Sequence, residues 1–219
     1  MNSAILQSLL DSPALPELVE EGQKALAREQ KLREKFYADI TPEHKWEFIQ
    51  GEVIMHSPAL NRHLLATKQL YDVMNAYVRV KKLGVVHIEK AMCSFPRNDY
   101  EPDISFFGLT KARLTGPDML RFPIPDLIIE VLSPSTEERD RGIKFQDYAM
   151  HGVAEYWIID PVADSVELYR LAGDVYPPTE RQTEGLLSSD AIAGFEIPVR
   201  AIFDEGENLR VQRQILTGA

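Results

Sequence analysis

The run Asp126–Leu132, DLIIEVL, places the strictest condition on the fold of this chain. So dense an apolar run has the pattern of a strand covered on both faces. Glu130 lies inside it and, by the two-residue period of a strand, shares a face with Ile128 and Leu132. A carboxylate in that position has to be paired, protonated or bound to a metal, because an isolated buried charge is too costly to keep. Upstream, Glu101–Phe107 alternates as a second strand, with Asp103, Ser105 and Phe107 on one face and Ile104 and Phe106 on the other. A lone strand glutamate is most simply satisfied by an arginine or a backbone donor. Two carboxylates converging from neighbouring strands instead make an oxygen-ligand site for Mg²⁺ or Mn²⁺.

A helix follows the second strand. Ser135 and Glu138 have capping-box spacing and Asp140 is a second candidate N-cap, so the helix is expected to start between Thr136 and Arg141. Phe145, Tyr148 and Ala149 form its apolar stripe. Lys144 lies beside that stripe, four residues before Tyr148, and either leans inward toward the strand ends or snorkels to solvent.

Pro102-Asp103, the run Glu130-Val131-Leu132-Ser133-Pro134-Ser135, Asp140-Arg141-Gly142 with Lys144, Glu155-Tyr156-Trp157 and Asp160-Pro161 together resemble the Uma family of putative restriction endonucleases, within the PD-(D/E)XK nuclease superfamily. The resemblance runs from about Trp46 to Phe203. It implies an α/β (α+β) fold with a restriction-endonuclease-like core of mixed sheet flanked by helices, and a metal-dependent endonuclease that hydrolyses DNA phosphodiester bonds. Asp103 and Glu130, with the backbone carbonyl of Val131, would hold Mg²⁺ or Mn²⁺. Glu52, in a stretch resembling the family's G-E-L, would assist, with Glu47 as its rival. His63 resembles a recurrent family histidine that touches a phosphate or the attacking water; a capping or solvated histidine is the plainer reading. The superfamily expects a lysine two residues after the glutamate, where this chain has Leu132, and Lys144 is the natural substitute. Superfamily nucleases commonly cut both strands as dimers, so a homodimer is expected. Leu132 also supports an alternative, a catalytically silent nuclease-fold module that binds nucleic acid or protein.

Composition bears on that choice. With 34 acidic and 24 basic residues the formal net charge is −10, which opposes DNA binding unless basic groups gather locally. Lys111, Arg113, Arg121, Arg139 and Arg141 are candidates for such a lip. No Gly-x-Ser-x-Gly elbow, phosphate-binding P-loop, zinc spacing or dinucleotide fingerprint occurs. No apolar run is long enough to cross a bilayer, the N-terminal stretch lacks signal-peptide character, and the single Cys93 cannot form an internal disulfide, so a cytoplasmic protein is expected.

Three regions are expected: an N-terminal helical extension (1–40), the nuclease-like domain (41–205) and a polar C-terminal tail (206–219). Within them a composition rich in Glu, Lys, Ala, Leu and Arg predicts a helix over 17–37, and the apolar patterns predict a hairpin over 46–55, a helix over 60–83, and strands over 85–95, 101–107, 126–132, 156–159, 166–171 and 195–203.

Overall fold

The computed structural model describes residues 3–41 and 43–218. The chain opens with helices α1 (Ser3–Leu10) and α2 (Leu15–Asp39), hairpin strands β1 (Trp46–Ile49) and β2 (Glu52–Met55), and helix α3 (Asn61–Lys81). Strands β3 (Gly84–Ile88), β4 (Met92–Ser94), β5 (Asp99–Tyr100) and β6 (Ile104–Gly108) follow, then the short α4 (Leu109–Ala112), β7 (Arg121–Phe122) and β8 (Leu127–Val131). A continuous helical segment comes next, made of α5 (Glu137–Arg139), a π-turn (Asp140–Lys144) and α6 (Phe145–Met150). Strands β9 (Glu155–Asp160), β10 (Ser165–Arg170), β11 (Arg181–Gln182), β12 (Leu186–Ser188) and β13 (Glu196–Pro198) lead through a 3₁₀ turn (Val199–Ile202) into α7 (Glu205–Thr217).

The chain divides into two compact units, residues 1–56 with 95–100 and residues 57–94 with 101–219. In the first, β1 and β2 pair antiparallel across Gln50 and Gly51, which both take positive φ (49° and 88°), the backbone that two-residue hairpin turns favour. β5 adds to β1 at Phe48. Helix α2 lays Phe36 against Phe48, with ring centroids 5.6 Å apart, so the hairpin groups with α2 although the sequence reading places it with residues 41–205. Buried Arg33 donates to both Asp99 carboxylate oxygens (2.6 and 2.8 Å) and to the carbonyls of Phe95, Pro96 and Asn98. One guanidinium thus satisfies the acceptors of a whole loop.

The second unit is built on a six-stranded sheet in the order β11-β10-β9-β8-β6-β3, antiparallel except for the central β8–β9 pair. Its apolar side chains cover both faces, as the density of DLIIEVL requires. On one face Ile104, Phe106, Leu127, Ile129, Val131, Trp157 and Ile159 pack against Leu70, Val73, Met74 and Val78 of α3. At Gly84 an added Cβ would stand 2.1 Å from the Phe107 carbonyl oxygen, so close approach to β6 demands glycine there.

Three expectations are corrected. The strand over 85–95 is two strands, because Glu89 and Lys90 both take positive φ (50° and 47°) and break the run. The strand over 195–203 is only Glu196–Pro198, after which a 3₁₀ turn buries Val199, Ala201 and Ile202. The tail is helix α7: Asp204 caps it by accepting from the Glu207 amide (2.7 Å), Val211 is buried, and Asn208 donates to the Gln69 carbonyl of α3 (2.8 Å).

The opposite face of the sheet carries Ile128, Glu130, Tyr156, Ile158 and Glu167, and the 137–150 helical segment lies over it. Phe145 makes edge contacts with Tyr156, Tyr169 and Tyr176. Arg141, inside the π-turn, forms a two-pronged pair with Glu167 of β10 (2.9 and 2.8 Å), which fixes the segment to the sheet. The Arg141 hydrogen bonds outweigh the opposing effect of burial and hold the Glu167 carboxyl down at about 2. A depressed carboxylate stabilises the fold fully above its ordinary range near 4.5, and that contribution disappears as pH falls toward about 2. Glu167→Gln lacks it at every pH. The melting temperature of wild type should therefore exceed that of Glu167→Gln at neutral pH, and the gap should narrow as calorimetric scans descend from pH 5 to pH 2.

Candidate active site

Cross-strand register brings the two carboxylates together. Ile104 pairs with Ile129 and Ser105 with Ile128, so Asp103, just before β6, lies across from Glu130 on the same face. Both side chains are buried. The Asp103 Oδ2 accepts from the Val131 amide (2.8 Å), and the Asp103 amide approaches Glu130 Oε2 at 3.4 Å. His63, in the first turn of α3, places Nε2 3.1 Å from Asp103 Oδ2. An ionised Asp103 can only accept, so Nε2 carries a proton, and in the neutral ring Nδ1 is then an acceptor. That Nδ1 is buried and lacks a hydrogen-bond partner among the described residues.

Glu130 Oε1 accepts from Lys144 Nζ (2.9 Å) and from the Tyr148 hydroxyl (3.0 Å). Lys144 is only 2% exposed, so its inward orientation is realised and the snorkelling one is not. Its ammonium also stands 3.4 Å from Asp140 Oδ1, and Asp140 is 1% exposed. Asp140 and Lys144 bound the π-turn, a wider helical turn that is rare and concentrates where helices serve a site. Gly142 at its centre, with no atom near the position of an added Cβ, lowers the preference for a regular α-turn there. Tyr156, fully buried, donates its hydroxyl to the Asp140 carbonyl (3.0 Å). Burial first, and then the negative charges of Asp140 and Glu130, push that phenol well above its usual range, so it remains a donor.

The structure brings together Asp103, Glu130, Val131, Lys144 and His63. Glu52 is exposed on β2 of the first unit, where it pairs with Ile49; its rival Glu47 is buried, with His56 Nε2 3.1 Å from its Oε2. Leu132, at the position of the superfamily lysine, is buried, so a lysine introduced there would enter an apolar setting. Two members of the expected basic lip are committed to carboxylates, Lys111 to Asp126 (2.7 Å) and Arg141 to Glu137 and Glu167. Sequence reasoning missed Asp140, taken as a helix cap, and Tyr148, taken as part of an apolar stripe. The steps of four from Asp140 to Lys144 to Tyr148 were the available signal. The helix itself begins at Glu137, after Thr136, whose hydroxyl receives the Ser133 amide (3.3 Å), in place of a Ser135–Glu138 box.

Among the described residues no group of three or more histidine, cysteine, aspartate or glutamate side chains is arranged to hold a metal ion. The donor set is two carboxylates in a buried, acidic setting, which suits Mg²⁺ or Mn²⁺. Those ions take oxygen ligands, keep several waters and need only one or two protein carboxylates. No helix among the described residues is long and apolar enough to cross a membrane.

Comparison with known proteins gives the family and the fold. The profile of the Uma2 family, described as "Putative restriction endonuclease", matches residues 32–200. Among solved structures, a crystal structure at 1.96 Å of "a putative nuclease belonging to DUF820" from Anabaena variabilis ATCC 29413 superposes with a TM-score of 0.67. At 22% identity, over 78% of this chain and 96% of that one, it shows a shared fold. No curated protein matches the chain. With a family profile spanning most of its length and the restriction-endonuclease-like mixed sheet in place, this chain belongs to the Uma2 family of putative restriction endonucleases.

Proposed function

We propose that the protein is a divalent-metal-dependent endodeoxyribonuclease acting in the cytoplasm as a homodimer. The observation that carries the reading is the cross-strand placement of Asp103 and Glu130 with the Lys144 ammonium 2.9 Å from Glu130. Asp103 and Glu130, with the Val131 carbonyl, are the residues that would hold Mg²⁺ or Mn²⁺. Such an ion, when bound, lowers the pKa of a water and stabilises charge on the phosphate. The chain's own residues do the rest. The Val131 amide and His63 fix the Asp103 carboxylate, and Tyr148 fixes Glu130. Lys144 brings a positive charge to the place where negative charge grows during in-line attack. His63 Nδ1 offers an acceptor that can orient the attacking water. The silent-scaffold reading draws on Leu132, on the net charge of −10 and on the engagement of Lys111 and Arg141 with carboxylates.

Plasmid cleavage with Mg²⁺ or Mn²⁺ separates the two. Wild type should cut, Asp103→Ala and Glu130→Ala should lose both cleavage and calorimetric metal binding, and Lys144→Ala should lose about 10²-fold or more in rate while still binding metal. Wild type that binds metal and leaves DNA intact would establish the silent scaffold.

The dimer reading rests on α2. Its buried residues are Arg33 and Phe36, near its C-terminal end, whereas Leu18, Val19 and Leu26 are exposed. An exposed apolar stretch on a long helix suits self-complementary pairing with a second copy, the commonest oligomer arrangement. Sedimentation should show a dimer that Val19→Glu with Leu26→Glu converts to a monomer; an unchanged state in that variant would exclude α2 as the contact.

A further inference from the structure

The Lys144 ammonium stands against Glu130 of the cross-strand pair and against Asp140 of the π-turn. Its ammonium sits 2.9 Å from Glu130 Oε1 and 3.4 Å from Asp140 Oδ1, and all three groups are almost wholly buried. An ammonium at that depth cannot be left without a partner. Glu130, however, is the carboxylate that the metal reading assigns to a divalent cation, so Lys144 and the cation claim the same group. Asp140 belongs to neither strand of the cross-strand pair; it stands at the start of the π-turn that ends at Lys144 itself. The turn is also held by Arg141 on Glu167 and by Tyr156 on the Asp140 carbonyl, so Asp140 has supports besides Lys144.

We infer that Asp140 is a positioning residue which receives the Lys144 ammonium when a divalent cation occupies Glu130, so that Lys144 acts as a built-in counter-ion handed from one carboxylate to the other. The inference rests on the metal reading of Asp103 and Glu130. Asp140 does not ligate the cation. It lets Glu130 give up its ammonium without stranding a buried positive charge beside a second one, and it keeps Lys144 within a side chain's swing of the reacting phosphate.

The distinguishing consequence is that Asp140 matters for cation binding only while Lys144 is present. Calorimetric titration of the full-length protein with Mn²⁺ alone, without DNA, reads this directly. Asp140→Asn should weaken binding by roughly tenfold or more, since removing one member of a coupled buried network commonly costs that much. Lys144→Met should bind at least as tightly as wild type. The double variant Asp140→Asn/Lys144→Met should bind like Lys144→Met, with the effect of Asp140→Asn abolished. Far-UV circular dichroism and melting temperature establish that each variant is folded. If Asp140→Asn alone does not fold, the comparison of Lys144→Met with the double variant still decides, because neither contains a stranded ammonium. A tenfold loss that persists in the Lys144→Met background overturns the inference and makes Asp140 a ligand or a structural group, while leaving the metal reading intact. Wild type that fails to bind Mn²⁺ overturns both.

Discussion

The second unit is arranged around a charge that cannot be buried alone. Glu130 sits in the most apolar strand of the sheet, and nearly every unusual feature nearby supplies it or its neighbours with partners. Lys144 and Tyr148 reach it from the helical segment, Asp103 stands across from it, and the π-turn sets Asp140 3.4 Å from the lysine. A strand with leucine at this position would make a quieter core. Several titratable groups buried together, each costing several kcal/mol in lost hydration when charged, mark a place where the fold keeps a cost that packing alone would remove.

The supports of this cluster come from elements far apart in sequence. The Arg141–Glu167 pair and the aromatic packing of Phe145 join the helical segment to β9 and β10, and α3 contributes His63 from its first turn while its later turns build the core of the other face. The sheet is thus a rigid frame with apolar packing on one side and the charged cluster on the other. A site held from strand, helix and core keeps its geometry better than one carried on loops. The first unit solves a similar problem on a smaller scale: Arg33 and Asp99 bury opposite charges and spend the remaining guanidinium donors on loop carbonyls.

Much of this was legible from residue order. A period of two put Asp103 and Glu130 on inward faces, helix-favouring composition marked α2 and a period near 3.6 marked α3 within a few residues of their ends, and the Gln50-Gly51 pair marked the hairpin. These features are local: they depend on which side chains alternate and on which residues accept positive φ. The helix at the C-terminus was equally local, with Asp204 and Glu207 in capping spacing, but its few apolar positions acquire meaning only against α3.

What the sequence by itself determined is the set of chemical types: two carboxylates on adjoining strands, a lysine after them, and a buried setting that obliges those groups to find partners. Which partners they find was decided by tertiary structure. Strand register set Asp103 opposite Glu130, and the π-turn aimed both Asp140 and Lys144 inward. The reason is physical: a charge fixes the need for compensation, but a contact between residues fourteen, twenty-seven or forty positions apart exists only once the backbone has closed around them.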